Sequence, residues 1–139
     1  MNRFVVDASI AAKWCFPEAD SEIACRLLDR DIVLYAPDLL YAEVGNVAWK
    51  RQQRKECTVE QAGEALALLG QVNIAITPVA DLMAATLEIA TTYNRTFYDS
   101  TYLALAVALD VPLVTADAKF ANAMGAGQLT RMVLTLDNL

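Results

Sequence analysis

Short β-branched runs alternate with longer stretches of helical periodicity, and this alternation constrains the fold more than any other feature of the sequence. Four runs predict strands and a fifth is a possible last strand: Phe4–Val6, Ile32–Tyr35, Val72–Ile76, Leu113–Thr115 and Met132–Leu134. The runs are continuously apolar, as strands buried on both faces should be. Strands separated by helices form βαβ units. We therefore predict an α/β fold, a three-layer α/β/α sandwich around a mostly parallel sheet of four to five strands.

Helix signals fill the intervals between these runs. Pro17 ends the first predicted helix, and Thr58 with Gln61 forms a capping box for another. Asp38 is placed to cap a third helix. No internal repeat or linker interrupts the pattern, so residues 1–139 are expected to form one domain. The predicted helices are Ser9–Phe16, Ser21–Asp29, Leu39 to about Arg54, Thr58 to near Gly70, Val79–Tyr93, Asp99–Leu109 and a short helix that follows Asp117 and ends by Gly125.

The charged residues exclude several kinds of active site. A net charge of −6 argues against binding nucleic acid through a bulk positive field, so a local basic strip and metal ions would have to hold such a substrate. The chain has no histidine, which excludes Ser-His-Asp and Cys-His nucleophile systems and every histidine metal site. Its three widely spaced cysteines disfavour a disulfide framework or a thiolate metal site.

Apolar runs are too short for a membrane span. The longest, around Leu103–Leu109, is bracketed by Asp99 and Asp110. The first residues lack the long apolar region of a signal peptide. We therefore expect a soluble, cytoplasmic protein with no membrane partner.

Three acidic residues lie where either a metal site or a helix cap is expected. Asp7 follows the first predicted strand, and Asp117 comes just past the strand Leu113–Thr115. Ligand sites form at that edge of an open parallel sheet. Asp is also a preferred N-cap, and Asp99, which opens a predicted helix, could act in the same way. Taken singly, these three residues leave both interpretations open.

Glu43 favours the metal site because of its position on a helix. Leu40, Glu43, Val44 and Val47 share one face, at i, i+3, i+4 and i+7. A carboxylate on an apolar face is costly to ionise unless a charge or several donors meet it. A buried salt bridge is the structural alternative, but the arginines of this helix lie at its far end. We therefore interpret Glu43 as a functional residue.

Carboxylates that meet in one site repel one another, and a divalent cation relieves that repulsion. All-oxygen ligands favour Mg²⁺ or Mn²⁺ over zinc or copper. We predict that Asp7, Glu43, Asp99 and Asp117 are both the metal ligands and the catalytic residues. One or two such ions can activate water for displacement at phosphorus, and Glu43 is a candidate acceptor of the water proton.

Four segments around these carboxylates, in order along nearly the whole chain, carry a family resemblance: Val5–Ser9, Ala36–Val47, Tyr98–Ala106 and Leu113–Asp117. Together they resemble PIN-domain ribonucleases, especially the VapC-type toxins of prokaryotic toxin–antitoxin pairs. The resemblance implies a PIN-like sandwich, Mg²⁺ or Mn²⁺ at the four carboxylates, and RNA cleavage that leaves a 5′-phosphate. It also implies an antitoxin partner and a homodimer.

Polar neighbours of the carboxylates are predicted to support them. Ser9 and Thr115 could hydrogen-bond the carboxylates, or could simply complete the hydrogen bonding of a helix start and a strand end. Asn46 lies one turn from Glu43 and could orient it.

One dense basic run, Lys50–Lys55, extends the helix of Glu43 and could meet the RNA backbone, although a helix end of this kind is often only solvated. Trp49 beside it could stack on a base. Trp14–Phe16 could form part of a dimer or antitoxin surface. The predicted substrate-binding residues are Lys13, Lys50, Arg51 and Arg54.

Two other enzyme classes with acidic sites fit less well. Haloacid-dehalogenase-type phosphotransferases need a second Asp two positions after the first, where this chain has Ser9. Response-regulator receiver domains need a paired acid near the first strand, which Asn2 and Val6 do not supply, and an Asp after a middle strand, where Thr77-Pro78 stands. A non-catalytic binding protein, in which the carboxylates are caps and a partner surface is the function, stays open.

Overall fold

The computed structural model of the chain describes residues 2–124, 127 and 129–139. The predicted helix end at Gly125 lies outside the described residues. Strands in the described part are β1 (Asn2–Val6), β2 (Ile32–Pro37), β3 (Ile74–Thr77), β4 (Leu113–Thr115) and β5 (Val133–Thr135). They form one sheet in the order β3-β2-β1-β4-β5, in which every neighbouring pair is parallel. This confirms the predicted parallel sheet.

Helices connect consecutive strands. They are α1 (Ala8–Cys15), α2 (Ser21–Cys25), α3 (Leu39–Gln53), α4 (Val59–Gln71), α5 (Met83–Tyr93), α6 (Phe97–Leu109) and α7 (Ala118–Ala123). Short 3₁₀ turns cover Arg26–Leu28, Val79–Asp81, Thr130–Met132 and Leu136–Asn138. Within the described ranges, no helix is long and apolar enough to cross a membrane.

Two sets of helices cover the sheet. Helices α1 to α4 pack against one another, whereas α5 packs against α6, which also contacts β1, β2 and β4. Along the chain, β2 and β3 are added on one side of β1, and β4 and β5 are then added on its other side. Because of this change of direction, right-handed crossovers place the two sets of helices on opposite faces of the sheet. The result is the predicted three-layer α/β/α sandwich. Its centre is closed on both sides, because Val5, Val6, Leu113 and Val114 have no exposed surface.

Several element boundaries differ from the predictions, among them the end of the helix that starts at Ser21, now Cys25, and the start of the helix that ends at Tyr93, now Met83. Three strand boundaries differ for local reasons. The amide of Val72 donates to the carbonyl of Leu69 and completes α4, so β3 starts at Ile74 instead of Val72. Met132 ends a 3₁₀ turn, so the last strand begins one residue later. Asn2 pairs with Ile32, which extends β1 two residues toward the N-terminus.

Two predicted caps are also different in the structure. Asp38 makes no side-chain cap for α3; its Oδ1 accepts from the backbone amide of Val79, 2.9 Å away, and so links the ends of β2 and β3. Helix α6 starts at Phe97 and is capped by the Thr96 hydroxyl, which accepts from the amide of Asp99 at 3.0 Å. The cap role considered for Asp99 is therefore wrong, and its carboxylate is left for other contacts.

A small second core lies where α1 meets α3 and α4. Phe16 is buried there against small residues, including Ala48 of α3. The indole Nε1 of Trp14 donates to the carbonyl of Ala24 at 2.8 Å and ties α1 to α2. Both aromatic residues therefore hold helices together, and the prediction that this segment forms part of a dimer or antitoxin surface stays a prediction.

The capping box of α4 gives a direct test of the predicted fold. Thr58 accepts from the amide of Gln61, whose side chain accepts from the amide of Thr58. Thr58→Ala should lower the free energy of unfolding, measured by urea denaturation, by about 1 kcal/mol. Thr58→Ser retains the hydroxyl and should lose much less. Equal losses in the two variants would contradict a capping role for this hydroxyl.

Candidate functional site

The site forms at the point in the sheet where strand order reverses. Asp7 directly follows β1, and Asp117 lies two residues after the end of β4, the strand next to β1. Open α/β sheets bind ligands at such a switch point, beyond the carboxyl ends of the strands. Sequence position alone indicated this edge, and the register of β1 with β4, Val6 opposite Val114, brings the two loops side by side.

The Asp7 carboxylate is buried and surrounded by hydrogen-bond donors. Its Oδ1 accepts from the amides of Ser9 and Ile10, at 3.1 and 3.2 Å, and caps α1. The Ser9 hydroxyl donates to the same oxygen at 2.5 Å, and the Thr115 hydroxyl donates to Oδ2 at 2.5 Å. Asp7 is therefore a helix cap, as one interpretation proposed, and also a link between β1 and β4.

Backbone amides fix the orientation of both hydroxyls. The Ser9 Oγ accepts from the amide of Ala116 at 2.9 Å, and the Thr115 Oγ1 accepts from the amide of Asp117 at 3.0 Å. Because each hydroxyl accepts from an amide, its own proton is directed to Asp7. Ser9 and Thr115 thus join the loop after β1 to the loop after β4, which is the carboxylate hydrogen bonding predicted for them.

Ionised Asp7 is poorly compensated despite these donors. Burial raises the pKa of Asp7 from 3.8 to about 6, while the hydrogen bonds from Ser9, Thr115 and Ile10 lower it only in part. Those donors are neutral groups. The site therefore holds a carboxylate whose negative charge has no cation beside it among the described residues.

Glu43 is half-buried on α3, at the edge of the stripe formed by Leu40, Val44 and Ala48. The Tyr102 hydroxyl donates to its Oε1 at 2.6 Å. Burial raises the pKa of Glu43, the hydrogen bond from Tyr102 opposes that rise, and the nearby charge of Asp99 adds to it. Glu43 thus has the partly apolar surroundings that its position on the helix predicted.

Asp99 and Asp117 hold different partners. The Oδ2 of Asp99 accepts from the guanidinium of Arg95 at 3.3 Å, four residues earlier. Asp117 is exposed, and its Oδ1 caps α7 by accepting from the amide of Phe120 at 3.1 Å. The cap interpretation of Asp117 is correct, but it does not remove the residue from the site, because its side chain also lines the cavity described next.

All four predicted carboxylates line one cavity of about 180 Å³, which we call the acidic cleft. Within the described part of the chain, no three acidic or cysteine side chains are already placed to hold a metal ion. Each carboxylate is instead turned toward a donor of the protein. The residues lining the acidic cleft are Asp7, Ala8, Ser9, Glu43, Asp99, Tyr102, Asp117 and Phe120.

Tyr102 is a site residue that the sequence interpretation missed. Its side chain is buried, and burial together with the negative charges of Glu43, Asp7 and Asp99 raises its pKa. It therefore stays a neutral donor between three of the four carboxylates. Its spacing offered a signal, because Tyr102 follows Asp99 by three residues and so shares a helix face with it.

A larger groove of about 650 Å³ adjoins the acidic cleft, and Ala8, Ser9 and Glu43 line both. At its far end, Lys50 opens into a third cavity of about 240 Å³ that is also lined by Arg51, Arg54 and Glu56. The residues lining the groove are Ala8, Ser9, Ala12, Leu39, Ala42, Glu43, Asn46, Val47, Lys50 and Tyr98.

Two of the predicted substrate-binding cations are already paired. Glu18 accepts from the Nζ of Lys13 at 2.9 Å and from the guanidinium of Arg51 at 2.6 Å. The guanidinium of Arg51 also lies 4.9 Å from the ring centre of Phe16. Lys13 and Arg51 thus join α1 to α3, and their role in substrate binding stays a prediction. Lys50 and Arg54 make no ion pair within the described residues.

The structure corrects the prediction for Asn46 and describes the surroundings of Trp49. Asn46 makes no hydrogen bond to Glu43; Tyr102, from the other helical layer, orients that carboxylate instead. Trp49 is 57% exposed but does not line the groove, whose aromatic residue is Tyr98, and stacking of Trp49 on a base stays a prediction. In both cases helical spacing placed the residue on the correct turn of α3 but did not predict the direction of its side chain.

The fold and the site together define a known class. The sequence pattern of the PIN domain family matches residues 4–125. Ribonuclease VapC1 of Mycobacterium tuberculosis is 37% identical over 126 residues, which cover 90% of this chain and 93% of that protein. Ribonuclease VapC3 of Pyrobaculum aerophilum is 30% identical over 122 residues, covering 86% and 93%. The chain belongs to the PIN domain family, as its sequence motifs predicted.

Solved structures share the same fold. A crystal structure from Pyrobaculum aerophilum superposes with a TM-score of 0.72 at 21% identity, covering 98% of this chain and 85% of that one. VapC20 of Mycobacterium tuberculosis, described as a sarcin–ricin loop cleaving toxin, gives a TM-score of 0.67 at 21% identity over 86% and 94% of the two chains. A toxin–antitoxin complex from Klebsiella pneumoniae gives 0.67 at 15% identity over 97% and 98%.

Burial of Asp7 predicts a pH-dependent cost to stability. A pKa raised from 3.8 to about 6 means that the fold favours the protonated form of Asp7. The stabilisation by the protonated acid is complete below pH 3.8 and is lost as the pH rises through about 6. The corresponding free energy is about 3 kcal/mol. We expect metal-free wild-type protein to lose about that much unfolding free energy relative to Asp7→Asn across this range.

Urea denaturation of both proteins in chelator at a series of pH values measures this difference. Asn retains one acceptor oxygen but cannot ionise, so it is the matched control. The raised pKa of Asp7 would be contradicted if the difference in unfolding free energy between the two proteins did not depend on pH. It would also be contradicted if that difference changed in favour of the wild-type protein as the pH rises.

Proposed function

We propose that the protein is an endoribonuclease that hydrolyses RNA phosphodiester bonds with Mg²⁺ or Mn²⁺ in the acidic cleft, and that it is the toxin of a toxin–antitoxin pair. The observation that carries this proposal is the meeting of Asp7, Glu43, Asp99 and Asp117 around one cavity at the switch point of the sheet. The ribonuclease names of the relatives at 37% and 30% identity support the choice of RNA.

The cleft residues fit a hydrated divalent cation. The side-chain ligands that the acidic cleft offers are all oxygens, from carboxylates and hydroxyls, and these suit Mg²⁺ or Mn²⁺. Burial raises the pKa of Asp7 and of Glu43, and neither carboxylate forms an ion pair within the described residues. Mg²⁺ keeps several waters and is commonly bound by one or two carboxylates plus substrate phosphates. A site with no closed protein cage is compatible with that mode of binding.

When bound, the cation would supply activation of water and neutralisation of the charge that develops at the phosphate. Asp7 is held in place for this by Ser9 and Thr115, whose hydroxyl protons both point at it. Glu43, held by Tyr102, is the side chain with a raised pKa that also faces the groove, and it is therefore our candidate for accepting the water proton.

The remaining residues give a path for the substrate. Lys50, and beyond it Arg54, continue from the groove as a short basic strip on an otherwise acidic protein. Phosphates that follow the scissile bond could lie along this strip, which would compensate locally for the net charge of −6. We propose an antitoxin partner and a homodimer on the basis of the family resemblance.

The first prediction from this proposal concerns cleavage. Purified protein should cut single-stranded RNA with Mg²⁺ or Mn²⁺ and not in chelator, and Ca²⁺ should support little turnover. Asp7→Asn and Asp99→Asn should each reduce the rate by at least about 100-fold, since groups that merely orient a ligand already cost about 10- to 100-fold. Gel analysis of a labelled RNA measures the rates, and circular dichroism confirms that the variants fold.

Full metal-dependent cleavage by both variants would overturn the mechanism. The alternative class, a non-catalytic protein that acts only through a partner, predicts a different result. A folded wild-type protein would then cut no RNA with any of these cations while still binding its partner.

The second prediction concerns Tyr102. Tyr102→Phe retains the buried ring but removes the donor to Glu43, so the turnover number should fall about tenfold with little change in KM for RNA. Tyr41→Phe is the matched control, because Tyr41 is an exposed tyrosine of α3 that lines neither the cleft nor the groove. Steady-state kinetics distinguishes the variants. A Tyr102→Phe protein with wild-type turnover would show that the hydroxyl has no positioning role.

A further inference from the structure

The groove beside the acidic cleft has features that cleavage chemistry does not require. Its walls are largely apolar, formed by Ala8, Ala12, Leu39, Ala42 and Val47. Its volume of about 650 Å³ lies within the usual range of small-molecule sites, about 300–1,000 Å³. A charged phosphate backbone gains little from such walls, whereas a flat aromatic base can lie against them.

Tyr98 is the exposed aromatic side chain of this groove. Its side chain is 61% exposed. The next residue, Asp99, lines the acidic cleft, so Tyr98 lies close to the proposed catalytic site. No hydrogen bond or cation contact involves Tyr98 within the described residues. Its ring therefore contributes little to the fold and is available to stack on a base next to the scissile phosphate.

Helix α3 contributes two polar side chains to the lining of the groove. Asn46 can donate and accept through its amide, and it makes no hydrogen bond within the described ranges. Lys50, one turn further along the same face, has no acidic partner there. Apolar walls, an aromatic ring, an unpaired amide and an unpaired ammonium are together able to contact the base face, the base edge and the phosphate of one nucleotide.

We propose that Tyr98, Asn46 and Lys50 form a subsite for one unpaired RNA nucleotide adjacent to the scissile phosphate. The ring of Tyr98 stacks on the base, Asn46 hydrogen-bonds the base edge, and Lys50 pairs with the next phosphate. This inference rests on the proposed ribonuclease function. A base within a duplex is already stacked on both sides, so the subsite selects single-stranded segments such as loops and ends.

Binding measured without cleavage tests the subsite. The protein is Asp7→Asn in chelator, and the probes are a fluorescein-labelled 12-nucleotide RNA of mixed sequence and a ribose-phosphate chain of equal length without bases. Fluorescence anisotropy should show that Tyr98→Ala, added to this background, weakens RNA binding about tenfold and leaves the abasic chain unchanged. Tyr98→Phe should bind RNA like the parent protein, because a phenyl ring also stacks.

Two controls separate stacking from other effects. Trp49→Ala removes a comparably exposed aromatic residue outside the groove and should leave both affinities unchanged. Lys50→Ala should weaken both probes equally and reduce the salt dependence of binding, as expected for a phosphate contact. The subsite is wrong if Tyr98→Ala binds RNA as the parent does, if it weakens both probes equally, or if the parent binds RNA no better than the abasic chain.

Cleavage assays keep this inference separate from the proposed function. If the wild-type protein cuts RNA and Tyr98→Ala cuts it with an unchanged KM, the subsite fails and the ribonuclease stands. If the wild-type protein cuts no RNA but the binding difference at Tyr98 is observed, the catalytic proposal fails, and base stacking by Tyr98 stands without a scissile phosphate beside it.

Discussion

The buried carboxylate of Asp7 joins the two halves of the site. It accepts from the first turn of α1 and from the hydroxyls of Ser9 and Thr115, and those hydroxyls accept from the amides that follow β4. The same group is costly to ionise, because burial raises its pKa to about 6 and only neutral donors oppose that rise. The fold therefore fixes a negative charge at the switch point of the sheet without balancing it, which is the condition that a bound cation relieves.

The other acidic groups are arranged around that constraint. Glu43 reaches the cleft from α3 on one face of the sheet, and Tyr102, which holds it, comes from α6 on the other. Asp99 carries the Arg95 ion pair, and Asp117 caps α7 at the open rim. Each carboxylate has a protein partner that is weaker than a divalent cation. The metal-free fold can thus form with the four carboxylates already lining one cleft, where the proposed cation would bind.

Much of this arrangement follows from the sequence, and the exceptions have a common physical cause. Continuous apolar runs located the strands, and the positions of Asp7 and Asp117 after adjacent strands located the site. The sequence does not reveal side-chain partners that lie far away along the chain: Asp38 accepts from Val79, and Arg51 pairs with Glu18. Periodicity gives the face of a helix but not the residue that faces it. Tyr102 was within reach of sequence reasoning through its three-residue spacing from Asp99.

The central claim is that the four carboxylates form one divalent-cation site, and a crystal grown with Mn²⁺ tests it most directly through an anomalous difference map. The account predicts a peak in the acidic cleft that is surrounded by carboxylate oxygens of the four residues, bound directly or through water. It also predicts that Glu43 or Asp99 turns from Tyr102 or Arg95 toward the peak. Crystals that hold Mn²⁺ only elsewhere, with every carboxylate still on its protein partner, would contradict the account.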